Sequence, residues 1–368
     1  MGQAPTPDVS VMNYGSMTGS MALKRAICDL LKRTFVNSPS VRLDPDRMAV
    51  LSGCTACIDA LAFLLMDENA GVLLPTPTYA AFYNDTQARA RLQIAEFDDF
   101  DEDRDIEKQL NEALEAARGR GIVVRALLLT NPSNPLGTVY RDHTIKSSLL
   151  WCMSKSIHFI ADEIYGLSVH DPGTNFRSSM NTLYELVDAG VVSADAAQSH
   201  FHLLYGLSKD WCASGLRIGC LYSDNVPLQE ALTSLAPMAS CSNHQQYQIA
   251  CTLADVAFTD SFIAYNRSTL RESYVTLTIG LRALRIPFRD AAAGLFVFVD
   301  MREWLDEQSA AGEERLWNKL LDLKVIFTPG LACKAKQPGW FRVCFAWVSD
   351  AAIVELLRRL GKFLSDSG

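Results

Sequence analysis

Leu204-Tyr205-Gly206-Leu207-Ser208-Lys209-Asp210-Trp211-Cys212-Ala213-Ser214-Gly215-Leu216-Arg217-Ile218-Gly219 is the stretch on which the reading of this chain turns. An apolar, strand-like run ends on a lysine, and a turn of small residues then sets an arginine between two glycines. A lysine at the end of a buried strand has a desolvated amine, so its neutral, nucleophilic form becomes accessible near neutral pH. Outward from Lys209 the same pattern recurs upstream. An apolar run over 122–130 ends in Asn131-Pro132-Ser133-Asn134-Pro135-Leu136-Gly137, and another over 157–161 ends in Asp162-Glu163-Ile164-Tyr165.

These runs belong to a longer alternation. Residues 72–75, 122–130, 157–161, 202–207 and 216–222 read as strands buried on both faces, and 55–66, 105–117, 143–155 and 180–189 read as helices between them. Such alternation predicts an α/β fold: a mostly parallel sheet sandwiched by helices in a three-layer α/β/α unit. Ligands of such sheets gather at the carboxyl ends of the strands, where Asn131, Asp162 and Lys209 all fall. A second, smaller α+β unit is predicted from near residue 261, with a long helix over 262–284, strands over 294–300, 325–328 and 340–345, and helices over 313–323 and 351–364. The expected division is an N-terminal segment over 1–40, a large unit over 41–260 and a small one over 261–368.

Composition narrows the function. The 368 residues carry a formal net charge of −8, which argues against non-specific nucleic-acid binding. No run of apolar residues is long enough to span a bilayer, and the first fifteen residues lack the basic and apolar regions of a signal peptide. The ten cysteines are scattered, mostly inside apolar runs, as expected of free thiols in a reducing, cytoplasmic compartment. Cys54-Thr55-Ala56-Cys57 has the form C-x-x-C, but no second Cys or His pair stands at zinc-like spacing, so no metal is expected.

The main chemistry that needs such a lysine is capture of an aldehyde as an imine, and pyridoxal 5'-phosphate is the usual aldehyde. Its site needs an imine-forming lysine, an anion for the pyridine nitrogen, donors to the ring oxygen, a phosphate cup and a clamp for the substrate carboxylate. Lys209 is the first of these. Asp162 suits the pyridine nitrogen, against the plainer reading that Asp162-Glu163 caps a helix. Tyr165 and Asn134 suit the ring oxygen, although N-P-x-N-P is also a natural turn former. Gly53, Cys54 and Thr55 open a helix whose free N–H groups favour a dianion, with Ser208 and Arg217 completing the cup. An ordinary helix cap would look the same. Arg342, on an otherwise apolar strand, suits a bidentate carboxylate clamp or a structural ion pair. Tyr79 would stack on the pyridine ring or serve as a core aromatic.

Together these residues resemble fold type I pyridoxal-phosphate enzymes, specifically the class I/II aminotransferase family. Residues 131–137, 162–165, 207–210 and Pro338-Gly339-Trp340-Phe341-Arg342-Val343-Cys344-Phe345-Ala346 are most similar to its 1-aminocyclopropane-1-carboxylate synthase branch, as are Pro75-Thr76-Pro77 with Tyr79 and the turn over 215–219. The resemblance implies the pyridoxal-phosphate transferase fold, with Lys209 holding the cofactor and then taking the substrate α-proton. It also implies a homodimer with shared active sites. Three departures stand out. The family's N-terminal region is longer and carries a Gly-rich segment with an acidic residue near the substrate. The tyrosine that usually reaches the partner's phosphate falls at Met17 by its distance from Gly19, with Tyr14 three residues earlier. The phosphate-binding serine two positions before Ser208 is Gly206 here, a lost contact of about 1 kcal/mol.

The expected function is a pyridoxal-phosphate enzyme acting on a small amino acid through an imine and an α-carbanion, by synthase-like elimination or γ-substitution on S-adenosylmethionine or a related amino acid, as in secondary-metabolite biosynthesis. The alternatives are transamination to a 2-oxo acid, and a homologue that binds the cofactor without catalysis.

Overall fold

Residues 126–129 show how the central sheet is built. Ala126 and Leu128 point into one hydrophobic cluster, whereas Leu127 and Leu129 point into another, and all four are buried. A strand that must bury both faces reads as a continuous apolar run, and its alternate residues then serve two helical layers.

The computed structural model describes residue 7 and residues 9–367, so the start of the expected 1–40 segment lies outside the described residues. The strands are β1 (Met48–Ser52), β2 (Gly71–Thr76), β3 (Gln93–Asp98), β4 (Val124–Thr130), β5 (His158–Asp162), β6 (Phe201–Gly206), β7 (Ile218–Tyr222), β8 (Phe288–Arg289), β9 (Phe296–Asp300), β10 (Thr328–Pro329) and β11 (Trp340–Cys344). The helices used below are α1 (Met21–Thr34), α2 (Cys54–Leu65), α3 (Ala81–Gln87), α4 (Asn243–Ala254), α5 (Val256–Ala283) and α6 (Ala310–Asp322).

Strands β1 to β7 form one sheet in the order β1-β7-β6-β5-β4-β2-β3. Pairing is parallel from β3 through β6, and β7 runs against both β6 and β1. One face packs against a cluster that includes Leu23, Ile27, Leu30 and Leu31 of α1, the other against one that includes Cys57, Ile58 and Leu61 of α2. This is the expected three-layer, mostly parallel α/β/α arrangement. Strands β8 to β11 form a second, antiparallel sheet in the order β10-β11-β9-β8.

Helix α5 links the two cores. Its 28 residues span about 42 Å at 1.5 Å per residue. Ile263 joins the large cluster, whereas Leu270, Tyr274, Leu277 and Leu281 join the second. The helix begins earlier than the pattern over 262–284 suggests, because the Asp255 side chain caps it by accepting from the Phe258 amide at 2.9 Å. The expected strand over 325–328 is also corrected. Only Thr328–Pro329 pair, while Val325 and Phe327 are buried through their side chains without joining a ladder.

Candidate functional site

The sheet topology brings seven chain segments to one end of the sheet. Strands β2 to β6 end there. So does β1, which is parallel to β6 because both oppose β7, and β7 itself starts there. The register pairs Ser52 with Ile218 and Gly206 with Gly219, so the end of β1, the end of β6 and Arg217 are neighbours. Two glycines make the approach possible. Gly53 has φ 86°, and a Cβ on it would stand 2.4 Å from the Arg217 guanidinium. A Cβ on Gly219 would stand 2.3 Å from the Gly53 carbonyl carbon.

The result is a cup for an anion. Gly53 caps α2 without a side-chain bond, and the Cys54 and Thr55 amides that follow have no backbone partner among the described residues. Arg217, in the left-handed region at φ 51°, donates to Ser214 O at 3.1 Å and Ser52 O at 3.4 Å and, among the described residues, pairs with no carboxylate. Its charge is left for a ligand.

Beside the cup, Lys209 is half-buried, and burial together with the positive Arg342 lowers its pKa. Asp162 is buried on β5. Its Oδ2 accepts from the Thr130 hydroxyl at 3.4 Å, whereas Oδ1 is buried with no hydrogen-bond partner among the described residues. Burial pushes this carboxyl up to about 7, against the Ile164 amide, Thr130 and Lys209, which favour the anion. A buried carboxylate oxygen without a donor is costly, and a protonated pyridine nitrogen is the kind of partner it lacks.

Asn134 connects Tyr165 to Arg342. Its Nδ2 donates to the Tyr165 hydroxyl at 3.4 Å, and its Oδ1 accepts from Arg342 Nη1 at 2.9 Å. Arg342 also donates from Nη2 to Thr328 at 3.3 Å, its opposite number across the β10–β11 ladder, and lies over the Phe296 ring at 5.3 Å. Its Nε is buried and unpaired, and it takes part in no ion pair among the described residues. That removes the structural ion pair as an explanation of this arginine.

Nine of the expected residues line a single cleft: Cys54, Thr55, Tyr79, Asn134, Asp162, Tyr165, Ser208, Lys209 and Arg217. Gly53 and Arg342 stand outside that lining, joined to it through Arg217 and Asn134. Tyr79 is 37 % exposed and meets Phe82 edge-on at 5.4 Å, so it is not a core aromatic. Three polar lining residues escaped the sequence reading: Asp85, Thr130 and Ser214. Asp85 on α3 is buried, its Oδ2 is unpaired, and burial pushes it up to about 6 despite the Thr55 hydroxyl. Nothing in its local sequence marks it.

Two departures now have a physical form. Met17 is half-buried and packs on its own chain's core, whereas Tyr14 is 96 % exposed. A Cβ on Gly206 would stand 2.9 Å from Cys54 Sγ. The thiol fills the space that a serine would need.

These donors, the empty-handed Asp162 oxygen and the half-buried lysine fit pyridoxal phosphate: Lys209 for its aldehyde, Asp162 for its ring nitrogen, Asn134 and Tyr165 for its ring oxygen, the α2 amides and Arg217 for its phosphate.

Comparison with known proteins agrees. The profile of the aminotransferase class I and II family matches residues 8–360. 1-Aminocyclopropane-1-carboxylate synthase 7 of Arabidopsis thaliana is 32% identical over 349 residues, covering 94% of this chain and 76% of the relative. Synthase 3 of Oryza sativa subsp. japonica is 34% identical over 358 residues, covering 94% and 78%. A probable aminotransferase of Arabidopsis thaliana is 32% identical over 354 residues, covering 95% and 69%. Among solved structures, the Thermus thermophilus aspartate aminotransferase with maleate superposes with TM-score 0.80 at 19% identity, covering 96% of this chain and 84% of the other. An aromatic aminotransferase from Pyrococcus horikoshii gives 0.81 at 19% identity, covering 97% and 88%.

Proposed function

The chain belongs to the class I and II aminotransferase family and is a pyridoxal-phosphate-dependent enzyme; from that premise we propose that it acts as a 1-aminocyclopropane-1-carboxylate synthase-like lyase on S-adenosylmethionine or a related amino acid. The observation that carries the reading is identity of 32–34% to several such synthases across most of this chain, together with motifs in the Arg342 strand and the Lys209 turn that resemble theirs.

Bound at this site, pyridoxal phosphate supplies an aldehyde for an amine and an electron-withdrawing ring that stabilises negative charge at the substrate α-carbon. The chain's own residues do the rest. Arg342, free of any carboxylate partner among the described residues, would take the substrate α-carboxylate, and Asn134 holds its guanidinium in place. Burial and the nearby Arg342 charge lower the pKa of Lys209, which favours the neutral Nζ that would accept the α-proton. Asp162 would face the ring nitrogen, and its carboxylate would favour the protonated form of that nitrogen. Tyr165, its pKa raised by burial, remains a donor.

Incubation with S-adenosylmethionine should release methylthioadenosine. Amino transfer to a 2-oxo acid without that release would favour the second reading, transamination, which the similarity to a probable aminotransferase supports. Replacement of Lys209 by Ala should abolish the absorbance band near ~420 nm that marks a pyridoxal imine, and a band that survives would remove Lys209 from this role.

The division at about 260 remains our reading, supported by the two cores that α5 joins. All ten cysteines are free, which supports a reducing, cytoplasmic setting. No described helix is long and apolar enough to cross a membrane.

A further inference from the structure

A second cavity, of ≈ 640 Å³, lies between α5, the end of α1 and the segment 166–176, and shares no lining residue with the cleft around Lys209. Two arginines one helical turn apart, Arg267 and Arg271, border it. They are used differently. Arg271 Nη1 is 3.5 Å from Asp171 Oδ1, and its guanidinium lies 5.6 Å from the centre of the Tyr274 ring. Arg267 spends only its Nε, which donates to Leu167 O at 2.9 Å. Among the described residues its two Nη groups have no hydrogen-bond or ion-pair partner.

Among the described residues no acid pairs directly with that charge. Asp171 is matched by Arg271 and also accepts from the Thr174 hydroxyl at 2.8 Å. Glu272 is exposed and accepts from Ser268 at 3.0 Å. Asp210 is fully engaged, taking the Leu167 amide at 2.8 Å and the Ser168 hydroxyl. Burial lowers the pKa of Arg267, with Asp210 opposing it. The far wall is aromatic: the Phe35 and Phe176 rings stand 5.3 Å apart, over Gly166. A fork of unused N–H donors against an apolar wall suits a planar anion on a small organic body.

We propose that this cavity is an effector site that binds the carboxylate of a small amino or 2-oxo acid on the Arg267 guanidinium. The site is tied to the chemistry by direct contacts. Arg267 holds Leu167 by its carbonyl, and Asp210, the residue after Lys209, holds Leu167 by its amide. Asn266, beside Arg267, donates to Asp210 O at 3.2 Å. An occupant that draws on Arg267 therefore pulls on the segment that carries Tyr165 and on the turn that carries Lys209.

The test uses the full chain with Arg342→Ala, which removes the carboxylate clamp of the cleft, and malonate as the probe. His170 borders the cavity and feels the charge of Arg271, so its ring resonance in ¹³C-histidine-labelled protein reports occupancy. A saturable shift is expected, weakened about tenfold or more by Arg267→Gln. If the glutamine variant does not fold, Arg267→Lys keeps the charge, loses the fork and should weaken binding in the same direction. L-Alanine and pyruvate then compete, and the one that displaces malonate names the class. Amide exchange over 164–168 should slow on binding. No saturable shift, a shift that survives loss of the Arg267 fork, displacement by neither acid, or a shift with unchanged exchange over 164–168 each overturns the assignment.

Discussion

Asp162 illustrates a residue held in readiness at the expense of stability. Its carboxyl is pushed up to about 7 in the folded chain, whereas an unfolded Asp titrates near ~3.9. With a raised folded pKa the native state binds more protons between those values, so the cofactor-free protein loses stability as pH rises from about 4 to 7. Replacement by Asn should remove that loss. At pH 8 the cofactor-free Asp162→Asn protein should be more stable than the parent by roughly 2–4 kcal/mol, and near pH 4 the two should coincide. Thermal melts at the two pH values decide it, and equal melts at pH 8 would mean that the charge is already satisfied. Gly206 makes a second residue-scale case. A side chain there meets Cys54 Sγ at 2.9 Å and Ile218 O at 3.0 Å, and the thiol is itself donated to Tyr205 O at 3.3 Å. Gly206→Ser alone should weaken cofactor binding, by about 1–3 kcal/mol of overpacking. With Cys54→Ala beside it, the added hydroxyl should restore a phosphate contact and tighten Kd by about fivefold over Cys54→Ala alone. Spectroscopic titration of both pairs reads the sign change. Tighter binding from Gly206→Ser by itself would clear the thiol of any blame.

Between residues and domain, the elements show what holds Arg342 at the cleft. Its strand, β11, is entered through a connection from β10 whose two ends are held by one buried acid of α6. Glu313 accepts the Leu331 amide at 3.0 Å and the Gly339 amide at 2.6 Å. Glu313→Ala strands both amides and should cost about 2–4 kcal/mol in urea unfolding. Because the clamp rather than the lysine loses its support, KM should rise more than kcat falls; a pure loss of kcat would speak against this role. The same scale explains which elements could be read from the chain. Strands β4, β5 and β6 lie in the middle of the sheet, so both faces are apolar and the runs stand out. The edge strand β3 alternates polar and apolar residues, with Glu96 exposed, and was invisible as a core run. Leu23, Ile27, Leu30 and Leu31 of α1 carry helical spacing, but the stretch lies outside the strand–helix alternation that marks the sheet. At the site, residues following the legible strands were found. Asp85 was not, because it reaches the cleft from a seven-residue helix with no signature of its own.

At the scale of the whole molecule, the cup lies beside an uncovered apolar surface. Met12 is 75 % exposed, Tyr14 96 % and Met238 86 %. Helix α4 ties them together: Asn243 donates to Asn13 O at 2.6 Å, and the turn after Met238 closes on β1, where Ser52 donates to Ala239 O at 2.8 Å. The same region reaches the cup, since Cys241 donates to Arg217 O at 3.5 Å. Large apolar side chains this exposed, on segments tied to one another and to the cup, are best explained by association. We expect a second copy of the chain to seat here, with Tyr14 rather than Met17 reaching towards the partner's phosphate cup, because Met17 is committed to its own core. Tyr14→Phe should then leave the dimer intact and weaken cofactor binding by about 1 kcal/mol, the worth of one hydroxyl donor. Met238→Asp should instead shift the sedimentation equilibrium towards monomer and weaken cofactor binding with it, since a buried unpaired charge at such a contact costs several kcal/mol. A Met238→Asp protein that sediments like the parent would place the interface elsewhere. A Tyr14→Phe protein with unchanged Kd would leave the cup to be completed by its own chain alone, with Arg217 and the α2 amides carrying the whole charge of the phosphate.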